Sequence, residues 1–215
     1  KMADYWPFKE GSWWEFNDGN IEITGTEEIN GINTFKYLDT GWCSVGDGSG
    51  GGEELHLVND DTNGFGFFSQ SEDGSYSLVK LIEPYVKKGD KTTSSFKDSG
   101  DREQSTLVIK FEGTANVVVP AGKFKGCLRF SVKQKARYTD GTYSYSIERV
   151  YLAKGVGLVK VVSVKQSTEE DCTWGVGGRD VFNGIRKLED YSQAAAATYT
   201  ASGTYTWNST KGKIT

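Results

Sequence analysis

Residues 117–127 read VVVPAGKFKGC. An apolar run ends at Val119, Pro-Ala-Gly follows, and beyond it Phe124, Gly126, Leu128, Phe130 and Val132 alternate with Lys125, Cys127, Arg129, Ser131 and Lys133. A period of two marks a strand with one buried and one wet face. Proline fixes its own φ and glycine tolerates positive φ, so the Pro-Ala-Gly step reads as a rigid hinge that redirects the chain and lets Phe124 enter the core.

The same grammar extends in both directions. Asn30-Gly31, Asn63-Gly64, Asp73-Gly74 and Asp140-Gly141 stand between strand-like runs, and such dipeptides favour tight hairpins because both positions tolerate positive φ. The runs they separate include EELHLVND (53–60), GFGFFSQ (64–70), SYSLVKLI (75–82), TYSYSIERVYLA (142–153) and GVGLVKVVSVKQ (155–166). Residues 44–52, SVGDGSGGG, carry too little side chain to pack, and the polar stretch 83–104 predicts connections around at most one short strand. With 27 Gly, only 3 Pro and 13% aromatic residues in 215, the chain reads as all-β. The expected architecture is a single strongly curved antiparallel sheet or open β-barrel over residues 1–168. Residues 169–215 are then a C-terminal connector and β-rich appendage, either an extra edge of the first sheet or the start of a further unit.

Composition also removes function classes. A net charge of −4 predicts no broad basic surface, which argues against nucleic-acid binding while leaving room for a local basic patch. No apolar run approaches the roughly 18 residues of a membrane-spanning helix. Three cysteines at long spacings write neither a zinc pattern nor a disulfide framework. At most one internal bridge is expected, and if there is one it joins Cys43 and Cys172, which lie in turn-rich surroundings, whereas Cys127 lies within a strand.

Several constellations resemble chemistry by letter only. Gly46, Gly48 and Gly51 spell a dinucleotide fingerprint, but a polar strand follows where a helix must begin. Lys87–Thr92 echoes a phosphate loop without its first glycine. Asn59, Asp61, Asn63 and Gly64 have calcium-loop spacing, yet Gln70 stands where a bidentate Glu is required, so they read as turn residues. His56 is the single histidine and has no nucleophile signature around it. Glu53 with Glu54, and Glu169 with Glu170 and Asp171, offer paired carboxylates in positions that solvated turns also explain. Trp6, Trp13, Trp14 and Trp42 are the candidate ligand-binding residues, since aromatic faces stack on sugars or line apolar grooves. Trp13 and Trp14 point to opposite faces of a strand, so at least one belongs to the core.

Three stretches carry a resemblance. DYWPFKEGSWWEF (4–16) is similar to a YFPL-x-x-G-x-x-W-x-Y opening, VVVPAGKFKGCLRF (117–130) to V-x-VPAG-T/K-F-x-x-C-L-x-V, and VYLAKGVGLVK (150–160) to YYAPGVGLVK. In this order they resemble a group of bacterial cell-envelope proteins, often lipoproteins. Ala153-Lys154 stands where that group often has Ala-Pro, which leaves this turn less rigid. The resemblance implies a curved antiparallel sheet and an envelope location, periplasmic or lipid-anchored after leader removal, and it brings no catalytic residue. The expectation is a non-enzymatic protein with no cofactor and no metal. It would bind an apolar or amphipathic molecule, or an envelope partner, through its curved sheet. The alternative is a carbohydrate-binding module or carbohydrate-active enzyme using exposed aromatics.

Overall fold

The computed structural model describes residues 1–39, 53–70, 73–96, 102–166, 185–192, 207–208 and 213–214. A first meander comprises β1 (Trp13–Phe16), β2 (Gly19–Ile29), β3 (Ile32–Asp39), β4 (Glu53–Asp60), β5 (Gly64–Gln70) and β6 (Tyr76–Ile82). A second comprises β7 (Lys91–Phe96), β8 (Arg102–Val119), β9 (Gly122–Tyr138), β10 (Tyr143–Ala153) and β11 (Gly157–Gln166). β12 (Ile185–Ser192) follows, and the two-residue strands β13 (Trp207–Asn208) and β14 (Lys213–Ile214) pair with each other.

Twelve strands form one antiparallel sheet in the order β6-β5-β4-β3-β2-β1-β12-β11-β10-β9-β8-β7. The two edges, β6 and β7, are consecutive in sequence and meet where Ser94 Oγ donates to the Lys80 carbonyl, so the sheet is nearly closed into a barrel with one seam. This is the all-β, strongly curved sheet that the strand periodicity and turn dipeptides predict. The turns form as their residues require: Asn30 and Gly31 both take positive φ (53° and 76°), and the Asp140 carboxylate accepts from the Thr142 amide at 2.8 Å.

One boundary differs from expectation. Residues 185–192 are not beyond the main sheet but inside it, with β12 laddered to β1 on one side and β11 on the other. Leu188 is fully buried there, which is why the strand belongs to the core and not to an edge. A separate C-terminal unit fits only residues beyond Ser192, where β13 and β14 make their own ladder.

The Pro-Ala-Gly hinge is the tip of the β8–β9 hairpin, with Val119 paired to Gly122. Gly122 has φ 140°, and the Ala121 amide donates across to the Leu188 carbonyl at 3.1 Å, tying the tip to β12. Val117 and Val119 are buried, and the Phe124 ring packs 6.3 Å from that of Tyr191. Simple alternation fails at one point: Gly126 takes φ 65° in an irregular step of the ladder, and Cys127, expected on the wet face, is fully buried.

The core is organised around Trp6. Its ring stacks on Phe65 at 5.3 Å and meets Trp14 edge-on at 6.5 Å, while Trp14 Nε1 donates to the Val156 carbonyl at 2.6 Å. Three polar contacts hold the segment that carries it: Met2 amide to Pro84 carbonyl at 2.9 Å, Gly155 amide to Asp4 carbonyl at 2.7 Å, and Asn59 Nδ2 to the Trp6 carbonyl at 2.5 Å. Gly157 makes room for the indole, since a Cβ there would lie 2.4 Å from Trp6 Cδ1 and the backbone has φ 104°. Gly157→Ala therefore combines overpacking with backbone strain and is expected to cost about 2–5 kcal/mol in urea unfolding. Gly74→Ala, at φ 82° with open space around it, should cost only about 1 kcal/mol. Equal losses in the two variants would show that the Trp6–Gly157 contact does not govern the core.

Candidate functional site

The nominated tryptophans do not form one platform. Trp6 and Trp14 are 1% and 0% exposed and belong to the interior, whereas Trp13, 36% exposed, points outward from β1. Trp42, Cys43 and Cys172 lie outside the described residues, as do Gly46, Gly48, Gly51, Glu169, Glu170 and Asp171. Glu53 and Glu54 open β4. His56 is half-buried with Nδ1 3.8 Å from Glu27 Oε2 and its ring edge-on to Tyr76. The calcium-spaced residues serve a turn: the Asp60 carboxylate accepts from the Thr62 and Asn63 amides at 2.7 and 2.6 Å, and Asp61 pairs with Lys1. Of Lys87–Thr92, residues 87–90 form a turn closed by the Asp90 carboxylate accepting the Lys87 amide at 2.6 Å, and Lys91 and Thr92 open β7.

Two internal features were not anticipated. The first is a buried charge cluster. Arg186 on β12 is 1% exposed and forks onto Asp39 at the end of β3, with Nη1–Oδ2 at 2.8 Å and Nη2–Oδ1 at 3.0 Å. Its Nε lies 2.9 Å from Asp18 Oδ1 in the β1–β2 turn, and the guanidinium sits 4.3 Å from the Phe16 ring centroid. Burial opposes the charge on Arg186, but the Asp39 hydrogen bond and charge outweigh it and keep the group protonated. Burial is also the largest influence on Asp18, pushing its pKa up to about 6 against the pull of Arg186. The Tyr37 hydroxyl, 3.4 Å from Asp39 Oδ2, is driven well above its ordinary value by burial and then by the Asp39 charge. Further round the interior, Glu148 on β10 is 1% exposed, and neither carboxyl oxygen has a hydrogen-bond partner among the described residues. Burial alone raises its pKa well above the carboxylate range.

The sequence held a faint signal for both. Arg186 shares a face with Leu188 in an alternating run, and Glu148 shares one with Val150. Tyr145, Ile147 and Tyr151 make the opposite face of β10 look equally apolar, so alternation alone could not tell inside from outside there.

The second feature is a cavity of about 180 Å³ at the β6–β7 seam. Leu81, Ile82, Val86, Ile109, Phe111 and Phe130 give it apolar walls continuous with the main core, and the exposed Glu83, Asp90 and Lys91 also line it. The gap exists because β6 and β7 approach without a ladder, so core side chains there are covered only partly.

No protein-family model matches the chain, and no curated protein matches it. Two solved structures do. A Parabacteroides distasonis protein provisionally described as a lipoprotein superposes with a TM-score of 0.50 at 14% identity, over 87% of this chain and 98% of its own. A Bacteroides fragilis protein provisionally described as exported, with a YmcC-like fold, gives 0.46 at 12% identity, over 88% of this chain and 99% of its own. At such identity the first likeness is one of fold.

The buried carboxyl makes stability depend on pH in a definite direction. Burial holds the folded-state pKa of Glu148 well above the 4.5 at which it ionises once unfolded, so its contribution is fully present below 4.5 and is lost as pH climbs through the folded pKa. The slope is about 1.4 kcal/mol per pH unit. Asp18 acts in the same sense, its contribution being lost as pH rises from 3.8 through about 6. Glu148→Gln should therefore flatten the profile above pH 6 and exceed the wild type most at alkaline pH. Denaturant melts across pH check this, and parallel profiles for the two proteins would refute it.

Proposed function

We propose that this is a non-enzymatic protein of the bacterial cell envelope, which holds the apolar end of an amphipathic molecule at the β6–β7 seam. The seam cavity carries the reading. Its walls are core hydrophobes, while ionised groups at Glu83, Asp90 and Lys91 would face a polar head. Elsewhere the inward side chains, led by Trp6, Trp14 and Phe65, fill the sheet's curve themselves. A ligand enclosed within the barrel is thereby disfavoured and a ligand at the opening favoured. At about 180 Å³ the space is smaller than the roughly 300–1,000 Å³ of typical small-molecule pockets, which suits a chain end in preference to a whole lipid.

The envelope location is supported by the motif resemblance of residues 4–16, 117–130 and 150–160. The buried carboxyl and carboxylates do not suggest catalysis. Asp18 and Asp39 are engaged by Arg186, and Glu148 lies where water does not reach it.

Val86 lines the cavity and is half-buried, so a larger residue there fills the space without entering the centre of the core. Laurate is expected to bind the wild-type protein with one-to-one stoichiometry in calorimetry, and Val86→Trp to weaken it about tenfold or more, the scale set by losing one or two buried methylenes. An unchanged far-ultraviolet spectrum would show that the variant folds. Absence of binding, or equal binding by both proteins, would dismiss the seam as a ligand site.

A further inference from the structure

A net charge of −4 leaves room for a local basic patch, and the strand pairing brings basic residues together on one wall of the barrel. On the outward face of the second meander, Lys91 stands directly opposite Lys110, and Lys110 lies opposite Ser131, which is followed by Arg149. One step further, Lys133 is opposite Ile147 and then Lys165; beyond that Lys135 is opposite Tyr145, and Arg137 opposite Tyr143. At the β11–β12 junction Lys160 stands opposite Lys187. Among residues whose side chains are described, the acidic groups here are Glu112, which is occupied by Arg129 at 3.1 Å and Arg149 at 3.7 Å, and at the margins Asp140 in the β9–β10 turn and Glu189, two residues beyond Lys187 on β12. The compensating acids lie elsewhere, with Glu15, Glu22 and Glu28 exposed on β1 and β2.

Folding does not explain this arrangement. Like charges directly across a ladder destabilise a sheet. Lysine on an edge strand guards against edge-to-edge pairing, which accounts for Lys91 on β7. It does not account for Lys110, Lys133, Lys160 and Lys187 on interior strands. The wall also has a shallow depression of about 240 Å³ lined by Lys91, Val108, Lys110, Glu112, Ser131 and Lys133, placing three ammonium groups, one carboxylate and a hydroxyl around one space. At the same wall's upper end Tyr143 is 53% exposed beneath Lys135 Nζ, 4.2 Å from its ring centroid, and Val164 is 50% exposed.

We propose that the outward face of β7–β11 is a docking surface for an anionic membrane leaflet, with its lysines against phospholipid phosphates and Tyr143 and Val164 at headgroup depth. Lysines outnumber arginines on the wall, and their hydrated point charges on long stems suit diffuse surface charge better than the fixed bidentate recognition for which arginine is used. The mixture of exposed tyrosine and valine with cations matches an interface that is polar above and apolar below. The wall offers a shallow depression in place of a groove that would track a single polymer strand. A chain of net charge −4 would be repelled by an anionic surface if its charges were spread evenly, so only this segregation permits the contact and fixes its orientation.

Sedimentation of the full chain with phosphatidylcholine vesicles and with phosphatidylcholine–phosphatidylglycerol vesicles tests the proposal. Binding is expected only to the mixed vesicles and is expected to weaken as salt is raised. Each cation near the surface contributes a factor of about five, so Lys110→Glu, Lys133→Glu and Lys135→Glu together should weaken binding about 100-fold or more. Lys110→Glu alone should raise the thermal midpoint, because it places a carboxylate opposite Lys91, while still reducing vesicle binding; that opposed response separates a docking role from a structural one. Val86→Trp should bind these vesicles like the wild type, which keeps this surface distinct from the seam. Equal affinity for both kinds of vesicle, undiminished binding by the triple variant, or binding of polygalacturonate without binding of vesicles would each overturn the proposal.

Discussion

Between the two meanders the hydrogen-bond ladder passes through one strand, β12, and β12 is held in place by the charge of Arg186. Its ladder partners are β1 and β11, and its guanidinium reaches Asp39 on β3 and Asp18 in the β1–β2 turn. A buried ion cluster of this kind contributes little net stability, because desolvation offsets most of the attraction. What it contributes here is register. A one-residue slip of β12 would turn Arg186 out of the interior, taking its fork away from Asp39 and Asp18, which a single lysine ammonium does not replace, and would carry Leu188 out of the core. The cost of an unpaired buried charge, about 3–5 kcal/mol, therefore excludes the wrong pairing.

The remainder of the interior follows from closing a sheet of unequal strands. β8 and β9, at 18 and 17 residues, outrun their neighbours, and irregular steps in their ladder let the hairpin tip bend until Ala121 bonds Leu188. The N-terminal segment brings Trp6 against Gly157 and Phe65. The three motif stretches are thus neighbours through structure: Trp6 and Trp14 from the first meet Gly157 and Val156 from the third, and the second is tied to β12. Their common role is to fill and fasten the barrel.

Most strands were legible because local rules agreed with the fold. Asn30-Gly31 adopts the two positive φ values that its turn requires, and EELHLVND and GFGFFSQ are β4 and β5 without adjustment. β12 was not legible as part of the main sheet, because eighteen residues separate it from β11 and its partners lie at opposite ends of the chain. Trp6 and Trp14 could not be assigned to core or ligand contact without knowing which face turned inward. Cys127 was misplaced because Gly126 inserts an irregular step that alternation does not foresee. The basic wall was hidden by a net charge that sums over both sides of the barrel.

Native-state hydrogen exchange on β12 tests the central claim most directly. If β12 joins the two meanders into one cooperative unit, amides of Arg186, Leu188 and Asp190 will open with the same free energy as those of Ile21 on β2 and Val161 on β11, that of global unfolding. If the β12 amides exchange like those of an exposed strand while Ile21 and Val161 stay protected, the meanders stand without β12, and the buried arginine does not set the register of the sheet.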